Sequence, residues 1–269
     1  MRIRYINLDI IEPKYAPALW EFPRVFDLED IHIFSFEQSK NVIDVPPNIP
    51  LDQRINLEAI DDSTYITRYL YPTNAFAGCG LWTEGVFGLD YHIPDNLEHN
   101  IHFISILKYL RRVGISCFKK NNDIYYVNDN KYKKFYTTFE SIYWGNGWRS
   151  DGGAMITFNM NLDFVNKSLN KQYWKTIKRE NYEDNFKNII GGLWDIKNDL
   201  TPKDTLLNIC KEYSIRCGIE LYQDKLTSEE WSRITELANG LDGDEWRVNS
   251  IHPELGNISK SFLTNTFIQ

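Results

Sequence analysis

Six short runs rich in β-branched and aromatic residues crowd the first 160 residues, at 31–36, 64–69, 115–118, 124–127, 134–141 and 154–159. Such side chains fit a pleated, half-buried surface, so the runs read as strands. Among them, residues 95–114 place Leu97, Ile101, Ile104, Leu107 and Leu110 at helical spacing, with Asp95 or Asn96 available to cap the start and Gly114 the end. Three prolines make 45–50 a loop, and glycine content makes 145–153 another. After about residue 169 amphipathic helices take over. Thr201, Pro202 and Asp204 form a helix start ahead of Leu206, Leu207, Ile209, Cys210 and Tyr213. Thr227 and Glu230 form a capping box ahead of Trp231, Ile234 and Leu237, with Gly240 as terminator. The pattern predicts an α/β (α+β) chain: a mixed or antiparallel central sheet flanked by helices, with a smaller, mostly helical C-terminal portion. Residues 1–170 form the α/β core in this reading, 171–250 the helical part that completes it, and 251–269 a tail or edge strand.

Charge and composition exclude several classes. A formal charge of -7 gives no general attraction for phosphate backbones, which disfavours nucleic acid as a partner. Cys79, Cys117, Cys210 and Cys217 lack both zinc-site spacing and disulfide density, and read as reduced thiols of a cytoplasmic protein. Asp9, Glu12 and Pro13 interrupt any apolar leader, and no apolar run is long enough to span a bilayer, so no membrane partner is expected.

Three segments carry candidate chemistry. In GCGLWTEGVFGLDY, from Gly78 to Tyr91, clustered glycines let backbone amides approach an anionic or planar ligand; composition alone favours a ligand-free glycine-rich hairpin, since such clusters are common in turns. In NNDIYYVNDNKYKKF, residues 121–135, a turn at Asn128–Asn130 folds a hairpin that can bring Asn122, Asp123 and Lys134 to one side of a sheet. That set offers a carboxylate for a metal ion and a cation for a carboxylate or phosphate; surface lysines on a solvated hairpin are the plain alternative. WRSDGGAMITFNMNLDF, residues 148–164, is a glycine turn entering an apolar strand.

Taken in order, the three segments resemble the biotin/lipoate-protein ligase family, and lipoate-protein ligases in particular. There a run of the form GGGAVYHDxGNxxYS precedes a helix, a strand with Asn-Asp-Ile, a lysine in a KKIxG context and an HGxLL strand. Gly78, Gly80, Leu89 and Tyr91 match the glycine run, Asn122, Asp123 and Ile124 the Asn-Asp-Ile element, Lys133 and Lys134 the lysine pair, Gly152 or Gly153 the glycine before the last strand, and Arg68 one arginine ahead of the glycines. GGLWDIKNDLTPKDTLLNIC and DEWRVN are similar to the end of that domain, so the likeness runs from about residue 25 to 250.

The resemblance implies a class II synthetase-like biotin/lipoate ligase fold and a two-step acyl transfer. A small carboxylic acid is adenylated by ATP with Mg2+, and the acyl group passes to a lysine of a lipoyl- or biotinyl-type acceptor domain. It implies Lys134 as the catalytic residue, contacting the carboxylate and the α-phosphate, and Asp123 with Asn122 as holders of Mg2+ or the nucleotide. Arg68, Gly78, Cys79, Gly80, Tyr91, Lys133, Gly152 and Gly153 are implied to bind substrate or nucleotide. The chain departs from the pattern at Cys79 for the central glycine, Glu84 for the histidine and Thr137 for the glycine after the lysine, and residues 69–77 read as an insertion. A transferase with a cysteine nucleophile is disfavoured, because VNKSLNKQYW holds no cysteine where one is needed. Two functions follow: an ATP-dependent ligase for a lipoate- or octanoate-like acid, less so biotin, and a catalytically inactive module of the same fold within a larger assembly, a viral one included.

Two other features carry less. His99 and His102 lie three apart on the helix without a suitable third ligand and are expected to face solvent; the eight tryptophans are expected to pack in the core.

Overall fold

A computed structural model describes residues 1–68, 80–98, 100–128, 131–137, 141–151, 155–172 and 190–257. In chain order these form β1 (Ile3–Ile11), α1 (Tyr15–Trp20), α2 (Phe22–Val25), β2 (Ile31–Gln38), β3 (Val42–Val45), α3 (Leu51–Arg54), β4 (Tyr65–Arg68), β5 (Gly80–Trp82), β6 (Val86–Pro94) and α4 (Ile101–Arg112). There follow β7 (Cys117–Lys120), β8 (Asp123–Asn128), β9 (Lys131–Thr137), β10 (Ser141–Tyr143), β11 (Trp148–Asp151), β12 (Met155–Thr157) and α5 (Leu162–Ser168). The C-terminal part holds α6 (Pro202–Cys217), β13 (Leu221–Asp224), α7 (Ser228–Leu241), α8 (Asp244–Arg247), β14 (Ile251–His252) and β15 (Gly256–Asn257).

One mixed sheet organises them, in the order β13-β1-β2-β6-β12-β9-β8-β7, with β11 also paired to β6 and β10 to β11. β1 runs parallel to both β2 and β13; the other pairs are antiparallel. Strand periodicity divides β2 between two cores: Ile31 and Ile33 face one, Phe34 and Phe36 the other. The first core packs α4 and α6 on the sheet through Phe103, Ile106, Leu110, Leu206, Ile209 and Tyr213. In the second, Leu19, Phe22, Ile234, Leu237 and Trp246 bring α1, α2, α7 and α8 against the opposite face. Each such side chain contributes roughly 1.5–3 kcal/mol when fully buried. A three-stranded sheet, β4-β3-β5, and α5 enclose a third, smaller cluster. Residues after 190 therefore share the two main cores, and β13 extends the main sheet.

Both C-terminal helix starts follow the expected capping chemistry. Asp204 N donates to Thr201 Oγ1 at 3.4 Å, and Thr227 and Glu230 exchange side-chain to backbone bonds of 3.1 and 2.7 Å. Gly240 instead lies inside α7, where its bare Cα admits the Pro253 ring; an added Cβ would sit 3.0 Å from it. α4 begins at Ile101 rather than after Asp95 or Asn96. The residues before it are held out of the helix by Arg149, a fully buried side chain whose guanidinium donates to the carbonyls of Pro94, Asp95 and Leu97 at 3.1, 2.6 and 2.6 Å. The expected 145–153 loop is a glycine turn followed by β11, which pairs with β6; Gly145 and Gly147 take φ of 75° and 85°. His102 is buried against Tyr91 and Phe103 rather than facing solvent, and His32, His92 and His252 are also buried; His99 lies outside the described residues. Trp20, Trp82 and Trp246 are core residues, whereas Trp194 and Trp231 are partly exposed. No helix among the described residues is long and apolar enough to cross a membrane.

Two tests follow. Arg149→Ala strands several main-chain acceptors and the Asp151 carboxylate, 3.0 Å from Arg149 Nε, and is expected to lower unfolding free energy by about 3 kcal/mol or more in urea titration. Asp44 accepts a bond from Trp82 Nε1 at 2.5 Å, yet burial pushes its carboxyl up to about 7. A raised carboxyl destabilises the fold once ionised, so stability should decline as pH rises from about 4 through 7 and level off above. In Asp44→Asn that decline should be shallower; identical pH profiles for the two proteins would count against this account.

Candidate active site at the β8–β9 hairpin

The β8–β9 ladder is regular from Asn128↔Lys131 to Tyr125↔Lys134, then slips so that Ile124 faces Tyr136 and Asp123 faces Thr137. Phe135 is the extra residue of a β-bulge. The bulge lets Phe135 and Tyr136 both enter the first core beside Ile124 and Tyr126. It also settles the two lysines, which as neighbours in a strand point to opposite faces.

Lys134 shares the Tyr125 and Asp123 face. Its Nζ lies 3.5 Å from Asp123 Oδ1, while Tyr125 Oη donates to Asp123 Oδ2 at 3.3 Å. The two side chains are 30% and 24% exposed, so the pair contributes at most about 1 kcal/mol and leaves both charges available to a ligand. Asn122 is exposed in the turn just ahead of Asp123.

Lys133 stands on the other face, with Tyr126. Its Nζ is 3.9 Å from Asp195 Oδ2, which also accepts from Tyr126 Oη at 2.8 Å and from Gly192 N at 3.1 Å. Burial first, and then the Asp195 carboxylate, raises the Tyr126 hydroxyl far above its usual range, so it stays a donor. Gly191 N donates to Lys134 O at 3.0 Å, docking residues 190–195 alongside β9. Glycine is required there: a Cβ on Gly191 would meet Tyr126 Oη at 2.0 Å, and one on Gly192 would meet Phe158 O at 2.1 Å. Asp195 and Tyr126 were not singled out by sequence reasoning; the Gly-Gly pair three residues before the aspartate was the available signal.

Other expected site residues lie elsewhere. Tyr91 is fully buried in the first core, on the sheet face opposite Lys134, with its ring against His102 and Tyr213. Arg68 is buried at the end of β4, where its guanidinium donates to the carbonyls of Pro46, Ile49, Arg247 and Val248 at 2.8–3.1 Å. Burial alone lowers it to about 10. Its observed work is to clamp α8 and the proline loop to the small sheet. Gly80 is buried in β5 opposite Asp44 of β3. Gly78, Cys79, Gly152 and Gly153 lie outside the described residues.

The hairpin thus presents one ammonium and one carboxylate together, with the exposed Asn122 in the turn just ahead of them. A magnesium ion carried on nucleotide phosphates needs only one or two protein carboxylates besides water, and Asp123 fits that demand. Lys134 beside it suits an anionic oxygen.

No family model matches the chain, and no curated protein matches its sequence. Solved structures do. A bipartite lipoate-protein ligase of Thermoplasma acidophilum, described with its lipoyl domain, superposes with a TM-score of 0.79 at 13% identity, covering 95% of this chain and 99% of that one. A lipoate-protein ligase A with bound ATP gives 0.73 at 13% identity over 93% and 99%. LipL1 of P. falciparum in complex with lipoate gives 0.69 at 16% over 95% and 76%. The mixed sheet, the two helical layers and the coverage of almost the whole chain identify the architecture: this protein has the lipoate-protein ligase fold.

Proposed function

We propose that this chain is an acyl-adenylate-forming ligase for a lipoate- or octanoate-like acid, using ATP and Mg2+ and acting on a lysine of a lipoyl-type acceptor domain. The observation that carries it is the Lys134–Asp123 pair. Both charges sit on one face of the bulged hairpin, loosely paired and partly exposed, on a fold shared with a lipoate ligase that binds ATP and with a protein that binds lipoate.

In this mechanism the Lys134 ammonium holds the acid's carboxylate oxygen against the α-phosphorus. Attack there forms the mixed anhydride and expels pyrophosphate. Lys134 stabilises the negative charge that grows on the phosphoryl oxygens. Asp123, freed from Lys134 as the substrate carboxylate replaces it, would hold the magnesium ion together with the Asn122 amide. That ion supplies neutralisation of phosphate charge. The acceptor's neutral lysine amine then attacks the acyl carbon, AMP leaves, and the nitrogen gives up a proton. Backbone around Gly78–Gly80 and Gly152–Gly153 is proposed to border the acid and nucleotide.

One observation favours the alternative, a non-catalytic module of this fold. Arg68, which the resemblance assigns to the ligand, is committed to four main-chain carbonyls. Calorimetric titration with ATP and Mg2+, with and without lipoate, octanoate or biotin, separates the two. A ligase gives acid-dependent heat that Lys134→Ala removes and Lys133→Ala keeps, because Lys133 serves the opposite face. Single-turnover adenylation in Lys134→Ala should fall about 100-fold or more. Absence of heat with every acid contradicts the ligase reading and leaves the module.

A further inference from the structure

Lys134 occupies a stretch of β9 that the main sheet supports from one side. Among the described residues β12 reaches β9 at Tyr136 and Thr137 alone, and the bulge at Phe135 separates those rungs from the regular ladder with β8. At Lys134 the place of β12 is taken by residues 190–195. Ile190 bridges Lys134 in parallel, and Gly191 N donates to Lys134 O at 3.0 Å. The same segment is anchored to the sheet. Trp194 N donates to Phe158 O at 3.0 Å and Phe158 N to Gly85 O at 2.8 Å, so it is tied through the end of β12 to the start of β6. One carboxylate oxygen then closes it onto the hairpin. Asp195 Oδ2 accepts from Gly192 N at 3.1 Å, which tightens the turn, and from Tyr126 Oη at 2.8 Å, which reaches across from β8. Lys133 Nζ, 3.9 Å from that oxygen, adds charge without a hydrogen bond. The Lys134 side chain stands on the other face, so Asp195 acts on it only through the main chain.

Resting on the ligase reading, we infer that Asp195 is a positioning residue for Lys134. By fastening residues 190–195 to Tyr126 it fixes the Lys134 peptide beside the bulge, and with it the origin of the ammonium's stem. A bulge leaves a strand locally unpaired, so the backbone there needs a second partner to hold one conformation. An ammonium on a loosened strand still finds a carboxylate, because its flexible four-carbon stem follows the partner. The transition state demands a fixed position instead, and a displacement of about 1 Å can cost on the order of 100-fold in rate. Loss of Asp195 therefore lowers kcat and spares KM for the acid. The hydrogen bonds carry this role rather than the charge: an amide oxygen at the same place has two lone pairs and accepts from both Gly192 N and Tyr126 Oη.

The test compares the wild-type chain with Asp195→Ala, Asp195→Asn and Tyr126→Phe, using circular dichroism to confirm folding. Two readouts are taken: kcat and KM of pyrophosphate exchange into ATP driven by octanoate or lipoate, and hydrogen exchange of the Gly191 amide in protein labelled with 15N-glycine. Asp195→Ala is expected to lower kcat about tenfold or more, with KM for the acid within about threefold of wild type. Its Gly191 amide should exchange about tenfold faster or more, reporting that the bond to Lys134 O has opened. Tyr126→Phe, which removes a single oxygen, should move both readouts the same way and stands in if the alanine variant fails to fold. Asp195→Asn should hold both within about threefold of wild type. An unchanged kcat in folded Asp195→Ala and Tyr126→Phe, a change in KM alone, or a Gly191 amide as protected as in wild type overturns the role of Asp195 and leaves the ligase reading intact. No exchange by wild type with any acid overturns the ligase reading, and this inference with it.

Discussion

The pairing of β6 is the constraint on which the rest of the molecule depends. Along one edge it pairs with β2 from Glu37↔Phe87 to His32↔His92. Its other edge is shared, with β12 opposite Val86 to Gly88 and β11 opposite Tyr91 to Pro94. Both faces are covered, so seven of its nine residues are buried and their types alternate: Leu89, Tyr91 and Ile93 toward α4 and α6, and Gly88 and His92 toward the other side. β12 then carries β9, and β9 carries β8. Where Lys134 stands relative to the cores is thus a consequence of how β6 divides its edge.

Three buried arginines hold the layers around this strand. Arg4 of β1 reaches Asp224 in β13, Glu230 in α7 and the carbonyl of Lys225, at 2.8, 2.5 and 2.6 Å. Arg149 holds the turn before α4, and Arg68 holds α8. A planar guanidinium with several fixed donors satisfies carbonyls at element ends that regular structure leaves unpaired. His252 does similar work for the last described hairpin: its Nδ1 accepts from the backbone of Glu254 and Leu255, so its Nε2 carries the proton it shares with buried Glu21 at 2.6 Å. These are structural uses of charge, and they differ from Lys134 in that the charged side chains are themselves buried.

Much of the architecture was legible before the structure. The capping residues Thr201, Thr227 and Glu230 act locally, through bonds spanning three residues, and local chemistry is what a sequence displays best. The β8–β9 hairpin was equally plain. β1 and β13 were missed for a shared reason: they pair in parallel with strands distant in sequence, and their polar residues, Arg4, Asn7 and Asp224, are satisfied by partners no spacing reveals. Nor does spacing reveal what meets His92 and His252, since Ser150 and Glu21 lie 58 and 231 residues from those rings. Lys133 and Lys134 were legible as a pair but not in their directions, which depend on the bulge at Phe135. Tyr91 matched a family position, yet strand parity puts it on the face away from Lys134. The cross-strand row from Asp123 through Met155 to Phe36 runs perpendicular to the chain through five strands, and no reading along the chain could assemble it.

The central claim is that one face of the β8–β9 hairpin activates a carboxylic acid with ATP. Acid-dependent exchange of labelled pyrophosphate into ATP reports that half-reaction without any acceptor protein. Exchange driven by octanoate or lipoate in the wild-type chain, and lost in Lys134→Ala while the fold persists, is the result this account predicts. Exchange that survives in Lys134→Ala at the wild-type rate, or an absence of exchange with every acid tried, would contradict it.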